Sequence, residues 1–331
     1  MKQVTGSDVA RKAGVSQSTV SRVMNGDSRI GAETRRRVVE AARALNYDMG
    51  HRTNWTVGVL LDFRPCDIHG YYASTLHAIL EELEKRKLGV ELIWRGLDSE
   101  QVVKPFRGVL AISAPDTENL RTFAPLPTVN LHGEMHLGEN IASVTSDMYQ
   151  GMHDAVRFLW KLGHRDIRML SLEGEASEQR KLTRRLDGFL NALAGFGVAE
   201  PERHTIFFED QMSTSLSRLT RALRKAVNEG CTALICVNAA HTLKLNAALH
   251  ALHLRIPEEL SVIDWEYPEI SAYLDPPRTT VSADFPELVR IAVDQLCDMV
   301  EHQALPRLIQ VPPRLIHRKS TGRAPRRKIR Q

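Results

Sequence analysis

From Thr56 onward the hydrophobic period of the chain keeps changing, and this alternation constrains the fold more than any other feature. "TVGVLLDF" is a short apolar run of strand character, "YASTLHAILEELEKRK" has helical spacing, and "GVELIWR" returns to strand. The pattern continues through "GVLAIS", "PTVNLH", the helical "MHDAVRFLWKLG", "DIRMLSL", a long helix to Leu193, "HTIFF", the helical "LSRLTRALRKAV", "ALICV", the helical "LKLNAALHALH" and "LSVID". Apolar strands alternating with helices imply parallel sheets covered on both faces. So many strands predict two doubly wound lobes rather than one sheet. "PRTTVSADFPELVRIAVDQLCDMVEH" reads as strand then helix, and "LIQVPPRLIHR" as a hairpin-like ending. No internal sequence repeat is evident.

The first 47 residues follow a different rule. Thr5 with Asp8 three residues on is a capping-box-like start, since hydroxyl and carboxylate can each take an orphan amide. Val9, Ala10 and Ala13 then fall at helical spacing, and Gly14 stops the helix. Ser16 can cap a second helix with Val20, Val23 and Met24 inward, closed by Asn25-Gly26. A third helix runs from about Ala32 to Leu45, with Val38, Val39, Ala42 and Leu45 on one stripe. Three short helices sharing one buried face make a small all-α headpiece.

Charge separates the ends from the middle. Residues 1–56 carry ten Lys/Arg against five Asp/Glu, and residues 317–331 carry seven basic residues and no acidic one. The whole chain has a formal charge of +4, so the body between them is acidic at −8. Basic ends on an acidic body point to a polyanionic partner, and nucleic acid is the commonest. The C-terminal "RKSTGRAPRRKIRQ" reads as a disordered basic tail, 319–331. Cys66, Cys231, Cys236 and Cys297 form no CxxC pair, and the last three sit among apolar residues as small buried hydrophobes. With no apolar run long enough to span a membrane and no signal core, a cytoplasmic chain is expected.

A helix, a glycine turn and a second helix rich in Ser and Thr is the helix-turn-helix arrangement. In it the second helix enters the DNA major groove. Ser16, Thr19 and Ser21 suit phosphate oxygens, which position a protein without reading sequence. Gln17 can contact adenine and Arg22 guanine in bidentate fashion, whereas Ser18 is too short for that. Thr5, Asn25 and Arg29, around these helices, complete the expected DNA-binding set. Against catalysis, there is no GxSxG, P-loop or dinucleotide glycine pattern, and no metal spacing. His250 and His253 lack the HExxH arrangement. No cofactor is expected.

"DVARKAGVSQSTVSRVMNG" followed by "ETRRRVVEAARALNY" resembles the headpiece of the lactose/galactose repressor (LacI/GalR) family. "GHRDIRML", "RRLDGFLNAL", "LHLRIPEELSVIDW" and "PPRTTVSADF" look like that family's markers in the same order. The resemblance implies a homodimeric regulator with a helix-turn-helix headpiece on a periplasmic-binding-protein-like α/β core. Its expected partners are double-stranded operator DNA and a small effector held between the core lobes. "GYY" and "LPRLIQVPPRLIHR" most resemble a member that governs a β-galactosidase operon, which implies a sugar or galactoside. The expected boundaries are a headpiece at 1–47, a linker at 48–56, one lobe at 57–146 plus 280–303, and the other at 147–279 plus 304–318.

The chain departs from the family in two places. After "LNY" the family shows Pro-Asn and a hinge helix whose leucine wedges into the minor groove; here "DMGHRTNWT" has Gly50 and no leucine before Val57. Gly disfavours a helix by about 1 kcal/mol, and so short a segment hardly nucleates. In the effector cleft, the resemblance carries Arg185, three residues before "GF", and Asn238. Glu266 stands where aspartate is usual, and His132 where a carboxylate often follows the strand. Phe285 and Tyr71 or Tyr72 can stack on a sugar ring, and the whole set suits a polyhydroxylated ligand. His132 is equally readable as a core or rim histidine. A regulator of this fold whose cleft binds no sugar is the alternative, because two polar positions have changed.

Overall fold

The computed structural model describes residues 5–24, 30–45, 55–61, 70–94, 106–112, 123, 126–131, 138–171, 184–207, 215–237, 241–268 and 270–325. The chain forms two compact units. One comprises Met1–Arg64, Leu76–Val144 and Val289–Ile309, and the other Pro65–Thr75, Thr145–Leu288 and Gln310–Gln331.

The headpiece consists of α1 (Gly6–Ala13), α2 (Gln17–Met24) and α3 (Ala32–Ala44). Thr5 donates its amide and its hydroxyl to Asp8 Oδ2, at 3.0 and 2.7 Å, fixing the start of α1. Gly14 ends that helix in the left-handed region, φ 65° and ψ 41°, which only glycine adopts at little cost. Val9, Ala10, Ala13, Val20, Val23, Val38, Ala41 and Ala42 bury one shared core, with Val15, Ile30 and Leu45 at its edge. The Met24 side chain lies outside the described residues. So does most of the linker, including its expected lack of a hinge helix; Trp55 at its end is buried, and its carbonyl accepts Gly89 N–H at 3.0 Å.

The first sheet has six strands in the order β11-β5-β4-β3-β1-β2. They are β1 (Thr56–Leu61), β2 (Gly89–Trp94), β3 (Gly108–Ile112), β4 (Thr128–Leu131), β5 (Ile141–Ser146) and β11 (Leu308–Val311). Its β1–β2, β1–β3, β3–β4 and β4–β5 pairs are parallel, with Val57 opposite Val90 on one side and Gly108 on the other. Helix α4 (Gly70–Lys85) joins β1 to β2.

The second sheet repeats the topology in the order β12-β10-β9-β8-β6-β7. Its strands are β6 (Ile167–Ser171), β7 (Thr205–Phe207), β8 (Ala233–Cys236), β9 (Ser261–Trp265), β10 (Thr279–Ser282) and β12 (Arg314–Ile316). Five are parallel, and β12 runs antiparallel to β10. Successive strand residues face opposite sides. Ile167, Met169, Ile235 and Ile263 meet α5 (Met148–Lys161) and α6 (Arg185–Gly195). Leu170, Leu234, Cys236 and Val262 meet α7 (Leu216–Glu229) and α8 (Thr242–Ala251). Close packing of α5 on α6 needs Gly188, because a Cβ there would lie 2.4 Å from the Tyr149 carbonyl oxygen. Both sheets place the second strand outside the first and the third inside it, so each reverses direction between β1 and β3, or between β6 and β8.

Several expectations need correction. "LIQVPPRLI" is not a hairpin: β11 edges the first sheet and β12 the second, with Pro312-Pro313 between them. Strand β10, expected in the first lobe, pairs with β9 in the second sheet, and β11, expected in the second, joins the first. Strand β5 was not apparent in the sequence. The tail expected to be disordered from Lys319 is ordered through Pro325. Ser320 Oγ donates to Val262 O at 2.6 Å and accepts from Thr279 N–H at 2.8 Å, and Ala324 N–H donates to Leu162 O at 3.0 Å. Helix α9 (Phe285–His302) completes the described elements before β11. Cys231, Cys236 and Cys297 are buried free thiols, as their surroundings predict.

Candidate nucleic-acid interface and effector site

The recognition surface is built by local bonds. Ser16 Oγ accepts Thr19 N–H at 3.0 Å and lies 2.8 Å from both Ser18 Oγ and Thr19 Oγ1, so Ser16 caps α2. Val20 and Val23 anchor the helix in the headpiece core, leaving Gln17, Ser18, Ser21 and Arg22 exposed together. At 3.6 residues per turn these four share one face. Thr5 and Ser16 are exposed and Thr19 is half-buried. Arg37, on α3, donates through Nη2 to Ala13 O at 2.6 Å and Gly14 O at 3.3 Å. A guanidinium on the carbonyl end of α1 satisfies orphan acceptors and opposes the helix dipole. The turn that aims α2 is therefore held from α3. Asn25 and Arg29 lie outside the described residues.

The second site starts from Arg185, the first residue of α6. Its Nη1 donates to Val237 O at 2.6 Å, Nη2 lies 3.6 Å from Met148 Sδ, and the guanidinium sits 4.5 Å from the Trp265 ring centroid. Val237 follows β8 and Trp265 ends β9, so Arg185 stands at the carboxyl ends of these strands, beside the reversal between β6 and β8. Ligands of open α/β sheets bind there. A planar cation stacked on indole is held flat with N–H groups directed at its edge.

Glu266, the next residue after Trp265, is buried and already engaged. Arg318 places Nη1 at 3.0 Å from Oε2 and Nη2 at 3.2 Å from Oε1, and Thr280 Oγ1 also donates to Oε2. A carboxylate has about four acceptor sites, so little capacity is left for a further donor. Phe285, at the start of α9, is buried, and Tyr72 is half-buried in the first turn of α4. Gly70, the first residue of α4, has φ 48°, and a Cβ there would lie 2.5 Å from the Tyr267 ring. The Tyr71 side chain, His132 and Asn238 lie outside the described residues.

Deeper in the same unit, Asp264 and Arg278 are both fully buried, with Nε 3.0 Å from Oδ2. That N–H is not aimed at the oxygen, so the contact is an ion pair without a linear hydrogen bond. Arg278 Nη2 donates to Asn246 Oδ1 of α8 at 3.0 Å. Burial pushes the Asp264 carboxyl up to about 6, against the pull of Arg278. Sequence reasoning missed Trp265, Arg318 and this pair. "IDWEYP" offered an aspartate beside a tryptophan as a signal, whereas Arg318 looked like one more tail cation.

Among the described residues no group of three or more His, Cys, Asp or Glu side chains is placed to hold a metal ion, and no described helix is long and apolar enough to cross a membrane.

Residues 6–48 match the family described as bacterial regulatory proteins, lacI family, and residues 156–321 match the periplasmic binding protein-like domain. The chain is 25% identical over 316 residues to the probable HTH-type transcriptional repressor ExuR of Bacillus subtilis (strain 168), covering 90% of this chain and 92% of that one. It is 26% identical over 335 residues to the HTH-type transcriptional regulator GalR of Escherichia coli (strain K12), covering 95% of each. Among solved structures it resembles the lac repressor dimer bound to operator and the anti-inducer ONPF, at 25% identity and a TM-score of 0.64, covering 97% of this chain and all of that one. The fold is also shared with the CelR–cellobiose complex, at 22% identity and a TM-score of 0.65, over 96% of this chain and 100% of that one.

Proposed function

The chain belongs to the lacI family of bacterial regulatory proteins, and from that membership we propose that it is a sequence-specific repressor of a carbohydrate-utilisation operon, relieved by a small sugar. The observation that carries the DNA half is the face of Gln17, Ser18, Ser21 and Arg22, exposed together while Val20 and Val23 anchor their helix. Direct base readout uses donors of this kind, an amide at the start of the groove-entering helix and a bidentate cation one turn further along the same face. The lac repressor, similar over 97% of this chain, is a dimer on its operator, and a homodimer on double-stranded DNA is the corresponding reading here. Leu80, Val90 and Leu92 of the first unit are exposed apolar side chains, which a second copy would cover in this reading. A DNA partner places the protein in the cytoplasm. We read it as a regulator without a reaction or cofactor of its own, as its relatives are repressors.

For the effector half, Arg185 at the strand ends supports a hydroxylated ligand, a sugar or galactoside. One observation favours a different reading, a regulator whose site takes no sugar: Glu266 has both oxygens engaged by Arg318. Titration calorimetry against neutral sugars separates the two. Heat with any sugar that is lost in Arg185→Ala supports the first, and its absence throughout supports the second.

A further inference from the structure

Two residues of α3 are buried without belonging to the headpiece core. Arg35 is 7% exposed and Val39 8%, and as i and i+4 neighbours they lie side by side on one flank of the helix. Among the described residues, α3 fills the shared core with Val38, Ala41 and Ala42 instead, and Leu45 follows at its edge. An arginine this buried needs a partner. Arg35 Nη1 donates to Glu301 O at 3.4 Å, across 266 positions of the chain. Glu301 is the next-to-last residue of α9, so its carbonyl is one that no later amide of the helix takes up. The carboxyl end of a helix also carries partial negative charge, which favours a guanidinium there. The headpiece and this end of α9 fall in the same compact unit.

We propose that Arg35 docks the headpiece on the first unit at the carboxyl end of α9, so that this unit, and not the linker alone, sets the orientation of α2. The linker sequence, nine residues with Gly50 among them, favours no helix that could transmit orientation. It does hold the two surfaces at high effective concentration, so a small contact suffices. Gln17, Ser18, Ser21 and Arg22 stay exposed, and docking therefore leaves the reading face free. A movement of the first unit carries the reading helix with it. The contact is small enough to break on an operator whose half-sites are displaced, and the tether then holds the headpiece.

The test is amide nitrogen relaxation by NMR in the full-length, DNA-free protein, read separately for headpiece and first-unit amides. A docked headpiece tumbles with the unit, and both sets relax at the same transverse rate. A headpiece on a free tether is much smaller and relaxes several-fold more slowly. Equal rates are expected in wild type and in the control Arg36→Ala, whose exposed side chain bonds Glu33 within α3. Arg35→Ala should lower the headpiece rates several-fold while its amide shifts stay dispersed, as in a folded module. So should Gln303→Arg, which leaves the headpiece sequence intact and places a competing cation just past α9. Independent headpiece tumbling in wild type overturns the proposal, as do unchanged rates in Arg35→Ala or an equal effect of Arg36→Ala. If Arg35→Ala unfolds the headpiece, Gln303→Arg decides alone: release supports the proposal, and equal rates overturn it.

Discussion

The Arg185 guanidinium lies 4.5 Å from the centre of the Trp265 ring while its Nη1 bonds the Val237 carbonyl, so one side chain ties α6 to the ends of β8 and β9. Removing it loses charge-assisted bonds worth about 1.5–3 kcal/mol each to a ligand. Arg185→Ala is expected to abolish sugar-dependent release of DNA and to leave operator affinity unchanged. A gel-shift series with and without sugar checks this, and a variant that responds at wild-type sugar concentration contradicts it.

Asp264 and Arg278 are fully buried partners. Taking away one partner strands a charge, so Asp264→Ala or Arg278→Met should destabilise the protein by about 3–5 kcal/mol. The double change Asp264→Val with Arg278→Leu should recover most of that loss, since an apolar pair of similar volume avoids desolvation. Urea unfolding of the three variants measures the coupling.

Acid should weaken the fold through its buried histidines. His164 is fully buried, its Nε2 3.1 Å from Gly322 O and its Nδ1 3.0 Å from Thr232 Oγ1. Because the carbonyl only accepts, Nε2 carries a proton, and the Thr232 hydroxyl beside Nδ1 suits the neutral ring that burial favours. Burial lowers its pKa, and pushes that of His241 to about 4, below the ordinary value of about 6.5. A depressed folded-state value means stability that is present above about pH 6.5 and lost as pH falls toward about 4. Asp264, raised to about 6, acts in the opposite sense. Over this interval the stability of His241→Leu should fall less steeply than that of wild type; equal slopes contradict the assignment.

How much of this was visible in the sequence depended on whether a feature is local. The capping box at Thr5 and Asp8, the Gly14 turn and the exposed face of α2 follow from neighbours a few residues apart. The strand–helix alternation predicted both sheets for the same reason. Strand β5 escaped because "IASVTS" follows a polar loop and is half hydroxylated, yet all six residues are buried. The fates of β10, β11 and β12 depend on pairings across the chain, which no window of sequence displays. Arg318 looked like part of a basic run, and only the fold brings it 3.0 Å from Glu266.

The linker supports a prediction about DNA shape. Asp48–Thr56 has no leucine to wedge between base pairs, and such a wedge is what bends DNA in the family. Nine residues span at most about 30 Å, enough to tolerate a small change in half-site spacing. Operator bending should be slight, and inserting one central base pair should change affinity only modestly. A circular-permutation assay showing a bend of tens of degrees, or complete loss of binding on that insertion, contradicts this.

The central claim is that α2 reads DNA bases. Selection of bound duplexes from a random-sequence pool by the purified full-length chain, followed by titration of the enriched sequence, tests it most directly. The account predicts a sequence with two symmetric half-sites, bound about 1–3 kcal/mol more weakly by Arg22→Ala with relaxed choice at one guanine per half-site. Ser21→Ala should weaken the enriched and random sequences alike, as a phosphate contact does. Failure to enrich any sequence, or an Arg22→Ala isotherm superimposable on wild type, contradicts it.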